Sequence, residues 1–185
     1  MRLRSFALAF ATLAVFSATP KPKVKFTTNL GSFTLELEPE AAPKTVANFL
    51  AYVRAGHYNG TTFHRVIAKF MIQGGGMTAE GQEKPTKEPI PNEAKQALEK
   101  GVRNTRGALA MARTPAPHSA TAQFFVNTVD NASLDFPGQD GWGYCAFGHV
   151  IEGMATVDKI RDVKTVPGDR PLQPVTIESA TVVGP

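Results

Sequence analysis

The segment TTFHRVIAKFMIQGGG, residues 61–76, contains an arginine whose surroundings raise a chemical question. If the segment is a β-strand, side-chain alternation places Phe63, Arg65 and Ile67 on one face. The guanidinium group of Arg65 stays charged, and burying an unpaired charge costs several kcal/mol. Arg65 must therefore have a charged partner, reach solvent, or face a pocket that awaits a polar ligand.

Residues for other kinds of catalysis do not occur at the required spacing. The glycines at 74–76 are not followed by the Gly-Lys-Ser/Thr of a phosphate-binding loop, and no histidine has a Cys or a second His at metal-ligand spacing. Ser119 and Ser133 lack the Gly-x-Ser-x-Gly sequence that activates a hydrolase serine. We therefore expect no nucleotide site, no metal site and no cofactor.

The first 19 residues have the pattern of a secretory signal peptide. Arg2 and Arg4 precede an apolar run at 6–16, and two small residues follow at 17–18. The run is well short of the roughly 20 apolar residues that a membrane-spanning helix needs. Signal peptidase is therefore predicted to cut near the end of this segment.

Cleavage would divide the chain of 185 residues into a signal peptide at 1–19, a linker at 20–23 and one domain at 24–185. Export predicts a periplasmic location without membrane attachment after cleavage, and a retained membrane anchor is the alternative. Cleavage also changes the balance of 20 Lys and Arg against 16 Asp and Glu to 18 against 16, or a net charge of +2. The basic residues are scattered, so we exclude nucleic acid as a partner.

The single cysteine, Cys145, cannot form a disulfide within the chain. A disulfide-stabilised scaffold is therefore excluded. Cys145 lies in the strand-like sequence YCAF, which favours a small buried hydrophobic residue over a reactive thiol.

Alternating apolar residues predict a mainly β protein. The sequence VKFTTNLGSFTLELEPE, at 24–40, shows two alternating runs around a glycine-containing turn, which is typical of a β-hairpin. Many short strands without β–α–β alternation indicate an antiparallel sheet closed into a barrel, which leaves no exposed edge. The other strand-like runs lie at 61–67, 70–73, 107–111, 124–127, 144–150 and 174–183.

Two α-helices are predicted to cap the ends of this barrel. Pro43 suits the first turn of a helix whose apolar residues follow the i, i+3, i+4, i+7 spacing, and Gly56 is placed to end it. A second helix is predicted between Gly153 and Val163. The proline-rich region 77–105 is predicted to be a long surface loop with a short helical pattern at 93–100.

Three segments, FHRVIAKFMIQGGG, GALAMART and ATAQFFVNTVDNASLDF, closely resemble the cyclophilin family of peptidyl-prolyl cis-trans isomerases, with exported bacterial members as the nearest group. The resemblance runs from about Val24 to the C-terminus. It implies a closed eight-stranded antiparallel barrel with a helix at each end, in agreement with the pattern of strands and helices. It also implies an enzyme without a cofactor that accelerates rotation about X-Pro bonds and assists the folding of exported proteins. Its partners would be proline-containing segments of unfolded or partly folded proteins, and we expect a monomer.

In cyclophilins the arginine at the position of Arg65 lines the active groove and acts on the substrate proline. The resemblance therefore answers the question that this side chain raises, and it implies that Gln73 orients Arg65 and binds substrate. The other implied site residues are a proline pocket of Phe70, Met71, Phe125 and Leu134, an adjoining groove of Ala112, Arg113 and Gln123, and Tyr144 at the pocket rim.

Two places depart from the family's pattern. Ala68 and Lys69 replace the usual Pro-Gly between two paired strands, which removes a backbone constraint from the turn. Ser133 stands where many members carry the Trp or Phe that packs against the cyclic peptide cyclosporin. We therefore expect weak cyclosporin binding.

Two other functions remain as alternatives. One is a cyclophilin-like module that binds proline-containing segments without isomerising them, which would require a defective set of catalytic residues. The other is an exported holdase with a separate binding surface, for example the loop at 77–105, and this activity could coexist with isomerisation.

Overall fold

The structure is a computed structural model that describes residues 21–184. The signal peptide predicted at 1–19 lies outside these residues. Strands and helices follow in the order β1 (Lys23–Thr28), β2 (Gly31–Leu37), α1 (Pro43–Arg54), β3 (Arg65–Ile67), β4 (Met71–Gly74), α2 (Ala94–Glu99), β5 (Ala108–Met111), β6 (Phe124–Asn127), β7 (Ala146–Glu152), α3 (Met154–Arg161), β8 (Thr165–Val166), β9 (Arg170–Pro171) and β10 (Ile177–Val182).

Eight of these strands form one antiparallel sheet in the order β10-β1-β2-β7-β5-β6-β4-β3. The predicted hairpin at 24–40 is confirmed, because β1 and β2 pair directly and Phe26 lies opposite Phe33 with ring centroids 5.3 Å apart. The strands β8 and β9 form a separate two-stranded ladder that the sequence pattern did not predict.

The predicted closure of the barrel is wrong, because β10 and β3 are the two edges of a strongly curled half-barrel. One isolated bridge, between Thr62 and Thr176, connects the segments that lead into these edge strands. The strand β3 has only three residues, and the N–H of Val66 donates to the carbonyl of Asp169, 2.8 Å away in the loop between β8 and β9. The hairpin of β8 and β9 thus supplies the hydrogen-bond acceptor for one N–H of the β3 edge, which the expected closure would have paired with β10.

The predicted strand at 61–67 is correct only in its last three residues. Phe63 and Val66 are both buried in the main core, whereas Ile67 packs against a second apolar cluster. Since Phe63 and Val66 are an odd number of residues apart, the alternation breaks between them. Phe63, Arg65 and Ile67 therefore do not share one face.

The two predicted helices are confirmed as α1 and α3, and the short helical pattern in the loop at 77–105 forms a third helix, α2. The expectation of two helices is therefore too low for the described part of the chain. Phe49 of α1 is fully buried against the rings of Phe124 and Phe147, at centroid distances of 5.7 and 5.2 Å. Within residues 21–184, the helices are too short or too polar to cross a membrane.

The first turn of α1 obtains its hydrogen-bond acceptor from the loop at 77–105. Ala42, at the N-cap, has no side chain that can accept a hydrogen bond. The buried carboxylate of Glu93 accepts instead from the N–H of Lys44 at 3.1 Å, and from the N–H and the hydroxyl of Thr45 at 2.8 Å each. A carboxylate at a helix N-terminus also interacts favourably with the helix dipole. The long loop therefore stabilises the helix that covers the core.

We predict that Glu93→Ala lowers the free energy of unfolding by about 2 to 3 kcal/mol, because it leaves two N–H groups and a hydroxyl without their acceptor. Urea denaturation followed by circular dichroism measures this change. The matched control is Glu99→Ala, since Glu99 is exposed and its nearest partner, Lys95, is 3.9 Å away. Equal stability of the Glu93 and Glu99 variants would contradict the proposed capping role.

Candidate active site

The alternation of β4 and β6 places a set of side chains on the face of the sheet opposite the main core. Ile72 of β4 and Phe124 and Val126 of β6 are buried in that core. Their neighbours Met71 and Phe125 therefore point the other way. These two residues are buried in a second apolar cluster, against which Phe70, Leu134 and Tyr144 pack.

The residues on this face line a pocket of about 120 Å³. Nine of the ten predicted site residues contribute to it, and the tenth, Gln123, lines an adjoining cavity of about 170 Å³. Gln73, Ala112 and Arg113 line both cavities, so the two form one continuous groove. The residues that line the smaller pocket are Arg65, Phe70, Met71, Gln73, Ala112, Arg113, Phe125, Leu134 and Tyr144.

The floor of the pocket is apolar and its rim is polar. Met71 and Phe125 are almost fully buried, and the ring of Tyr144 meets that of Phe125 edge-on at a centroid distance of 5.8 Å. Phe70 and Leu134 are half-buried at the mouth. A small apolar ring would fit against this floor, with its polar neighbours directed to the rim.

Arg65 and Gln73 lie directly opposite one another in the pairing of β3 with β4. The amide of Gln73 donates to Gln123, 3.0 Å away. The Nε atom of Arg65 is 3.5 Å from a carboxylate oxygen of Asp169, and 43% of the Arg65 side chain is exposed. Arg65 therefore has a charged partner, Asp169, and also reaches solvent.

Arg113, which was expected to line the groove, is almost entirely occupied by contacts within the protein. Its side chain is 3% exposed, pairs with Asp140, and donates to the carbonyl of Gly143 from Nε at 3.2 Å and from Nη2 at 2.9 Å. Its guanidinium carbon lies 4.3 Å from the centroid of the Tyr144 ring. Arg113 therefore fixes the loop before Tyr144 and the ring of Tyr144 itself.

The hydrogen bonds around Asp140 keep its carboxylate charged. The Arg113 guanidinium, followed by the N–H groups of Gly143 and Trp142, holds the pKa of Asp140 well below its usual range. At neutral pH this carboxylate remains ionised and keeps its bond to Arg113. The ion pair of Arg113 with Asp140 is therefore present throughout the physiological pH range.

A buried polar network lies behind the opposite side of the pocket, and the sequence analysis did not identify it. Asn131 donates to the carbonyl of Phe70 at 2.8 Å and to the side chain of Asn127 at 2.7 Å. Asp135 accepts from the N–H and the side chain of Asn104, at 2.7 and 3.0 Å. The segment from Asn131 to Asp135 carries Leu134, so the network holds the mouth of the pocket in place. The sequence signal that could have identified this network is the four-residue spacing of Asn127, Asn131 and Asp135 in NTVDNASLD.

The glycines at 74–76 let the groove and the core pack closely. A Cβ atom at Gly74 would lie 2.8 Å from the carbonyl of Thr62, and one at Gly76 would lie 2.5 Å from the side chain of Gln123. A larger residue at Gly76 would therefore displace Gln123 and break its bond to Gln73. This close packing explains the three glycines.

Burial shifts the pKa values of several ionisable residues outside the groove. Burial raises the pKa of Cys145 to about 12, which confirms a small buried residue rather than a reactive thiol. Burial also lowers the pKa of His57 and of His64. Within residues 21–184, no three His, Cys, Asp or Glu side chains lie close enough together to hold a metal ion.

The sequence matches a known family and known proteins over most of its length. Residues 23–182 match the model of the family described as cyclophilin type peptidyl-prolyl cis-trans isomerase/CLD. The chain is 54% identical over 167 residues to peptidyl-prolyl cis-trans isomerase cyp18 of Streptomyces antibioticus, covering 87% of this chain and 98% of that protein. It is also 54% identical over 165 residues to peptidyl-prolyl cis-trans isomerase B of Escherichia coli, covering 86% and 98% of the two chains.

The fold also matches a solved structure. A cyclophilin type peptidyl-prolyl cis-trans isomerase of Cryptosporidium parvum, whose crystal structure was determined in the presence of the dipeptide ala-pro, superposes with a TM-score of 0.71. The two sequences are 25% identical, and the match covers 88% of this chain and 99% of the other.

Proposed function

Since this chain belongs to the cyclophilin family of peptidyl-prolyl cis-trans isomerases, we propose that Arg65 is its catalytic group and that the 120 Å³ pocket holds the substrate proline ring. The observation that supports this assignment best is the meeting of Arg65 with an apolar floor in one small pocket. The floor suits a proline ring, and the guanidinium suits the polar atoms on either side of the ring.

The reaction is a rotation that amide resonance opposes with a barrier of about 20 kcal/mol. Without a catalyst the rotation takes tens of seconds. As the X-Pro bond twists, the proline nitrogen loses conjugation and becomes a hydrogen-bond acceptor. A guanidinium that donates to this nitrogen, or holds the neighbouring carbonyl, binds the twisted state more tightly than either planar state, and this difference accelerates the rotation.

The required stabilisation is within reach of a few such contacts. Shortening the step from about 10 s to about 1 ms needs roughly 10⁴-fold acceleration, or about 5.5 kcal/mol. Hydrogen bonds to charged groups contribute about 1.5 to 3 kcal/mol each, and more where water is excluded. Asp169 contacts Arg65 at Nε, and in this proposal the two Nη nitrogens contact the substrate.

The proposed mechanism uses no proton transfer and no covalent intermediate, which agrees with a pocket lining that contains no Asp, Glu, His or Cys. In this mechanism the apolar floor grips the proline ring, while Gln73 and Gln123 bind the substrate backbone beside Arg65. Ala112 leaves room for that backbone between the two cavities. Arg113 and Tyr144 keep the far wall in place.

We also propose that the substrates are proline-containing segments of unfolded or partly folded exported proteins, and that the enzyme is a periplasmic monomer. The signal-peptide pattern at 1–19 supports export. The dipeptide ala-pro in the related Cryptosporidium parvum structure supports the substrate class. A non-catalytic binding module is the second candidate, and it is disfavoured because Arg65 and the complete apolar floor are present.

We predict that Arg65→Ala and Arg65→Lys each lower kcat/KM for a short Ala-Pro peptide by about 100-fold or more, as loss of one donor to a transition state commonly does. Lysine fails because a compact ammonium group cannot reproduce the planar fork of a guanidinium. The free energy of unfolding should change by less than about 1 kcal/mol, since the ion pair of Arg65 is half-exposed.

Exchange NMR of the peptide and urea denaturation measure these two quantities. The control is Arg54→Ala, which removes an exposed arginine at the end of α1. Retention of more than half of the wild-type kcat/KM by either Arg65 variant would refute the catalytic role.

We predict that the enzyme binds cyclosporin weakly and that Ser133→Trp tightens this binding roughly ten- to a hundredfold. Ser133 lines a cavity of about 370 Å³ together with Phe70, Leu134 and Tyr144, so an indole ring would add an apolar wall beside the proline pocket. Part of the 150 to 250 Å² of an aromatic side chain would contact the ligand, worth about 1 to 3 kcal/mol. Turnover of short peptides should change only modestly. Titration calorimetry on both proteins measures the affinities, and equal dissociation constants would show that Ser133 is not part of the ligand-binding wall.

We predict that the exported protein begins between Ala18 and Lys21, because this stretch joins the end of the apolar run to the charged linker. Intact mass spectrometry of the periplasmic fraction identifies the first residue. Membrane-bound protein that retains Met1 would show instead that the segment is an anchor.

A further inference from the structure

The loop between β8 and β9 reaches the edge of the proposed active site. The two strands pair Thr165 with Pro171 and Val166 with Arg170, and the tip of their hairpin comes against β3. There the carbonyl of Asp169 accepts from the N–H of Val66 at 2.8 Å. This bond brings the carboxylate of Asp169 beside Arg65, with 3.5 Å between Oδ2 and Nε.

The backbone of Asp169 has an unusual conformation. Within residues 21–184, Asp169 is the one residue other than glycine with a positive φ, at 62°. Residues with a Cβ atom rarely adopt this conformation, although aspartate tolerates it better than most. The preceding residue, Gly168, also has a positive φ, at 89°. Aspartate is one of the few residues with a Cβ atom that such hairpin turns accept, so this turn can carry a carboxylate at position 169.

The hairpin borders a cavity of about 570 Å³, and of its four strand residues only Pro171 is buried. Val166, Gly168 and Arg170 line one side of this cavity, and residues 77–79 line another. Polar contacts therefore hold the tip of the hairpin: the bond from Val66 to Asp169, the pair of Arg65 with Asp169, and a long contact of 3.4 Å from Arg170 to the carbonyl of Ala79.

We propose that Asp169 is a positioning residue that holds the Nε edge of Arg65 and thereby directs its Nη nitrogens toward the proline pocket. This inference rests on the proposed catalytic role of Arg65. An arginine side chain has several rotatable bonds, and a half-exposed one samples many rotamers unless a partner restricts it. Asp169 restricts the guanidinium at its Nε edge, which is the edge that does not meet the substrate in this proposal.

The expected effect falls on kcat rather than on KM. The contacts of Arg65 are made mainly with the twisted substrate, so a poorly oriented guanidinium weakens the transition state and leaves ground-state binding nearly unchanged. Both side chains are nearly half exposed, and such ion pairs contribute little individually. We therefore expect a two- to fivefold effect, of the order that exposed pairs produce.

The test is Asp169→Asn, because asparagine has nearly the same shape, tolerates a positive φ, and lacks the charge. We expect kcat to fall about two- to fivefold with KM nearly unchanged, while the Val66 amide keeps its protection from hydrogen exchange. High salt should lower the kcat of the wild type toward that of the variant, since salt screens exposed ion pairs, and should hardly affect the variant. The control Asp162→Asn removes an exposed aspartate that pairs with Arg161 instead.

A kcat of Asp169→Asn equal to or above that of the wild type would overturn the proposal. If the Val66 amide lost its protection from hydrogen exchange in Asp169→Asn and kcat also fell, the side chain would only hold the hairpin in place, and the proposal would be wrong. A measurement on the wild type is independent of any variant: the Nε–H of Arg65 should exchange with solvent more slowly than that of the exposed Arg54, and equal exchange would also overturn the proposal. Loss of activity in Arg65→Ala without any effect of Asp169→Asn would refute this inference alone, whereas full activity of Arg65→Ala would refute the catalytic role itself.

Discussion

The strict two-residue alternation of β4 and β6 is the constraint on which the site depends. Ile72, Phe124 and Val126 are fixed by the main core, and their burial forces Met71 and Phe125 onto the opposite face. A register shift of one residue would exchange these two sets and remove the floor of the proline pocket. The packing that stabilises the sheet therefore also determines where the proposed proline pocket lies.

Two arginines in this groove have opposite roles. Arg113 is buried and held by Asp140 and Gly143, so it contributes rigidity and few free donors. Arg65 stands at the open edge of the curled sheet, with Asp169 at Nε and 43% of its side chain exposed. Catalysis of a bond rotation needs a donor that is charged and fixed yet not fully occupied, and of the two only Arg65 meets this description.

The sequence allowed prediction of the features that depend on local patterns. The hairpin of β1 and β2 and the helices α1 and α3 follow from apolar periodicity, and the ten groove residues follow from the family's motifs. The features that it did not reveal depend on distant segments. Arg65 meets Asp169 across more than a hundred residues of sequence, and the N-terminus of α1 is capped by Glu93, which lies 48 residues beyond Thr45. The same distant hairpin also contacts the edge of β3, which no alternation pattern indicates.

The most direct test of the mechanism is the exchange rate of a short Ala-Pro peptide, measured by NMR with catalytic amounts of the protein, in water and in deuterium oxide, between about pH 6 and 8. Stabilisation of a twisted bond by a permanent cation predicts accelerated exchange that is independent of pH in this range and nearly equal in the two solvents, because no proton is transferred and Arg65 does not titrate. Exchange that is not accelerated, or a rate that follows a titrating group and slows in deuterium oxide, would contradict the account.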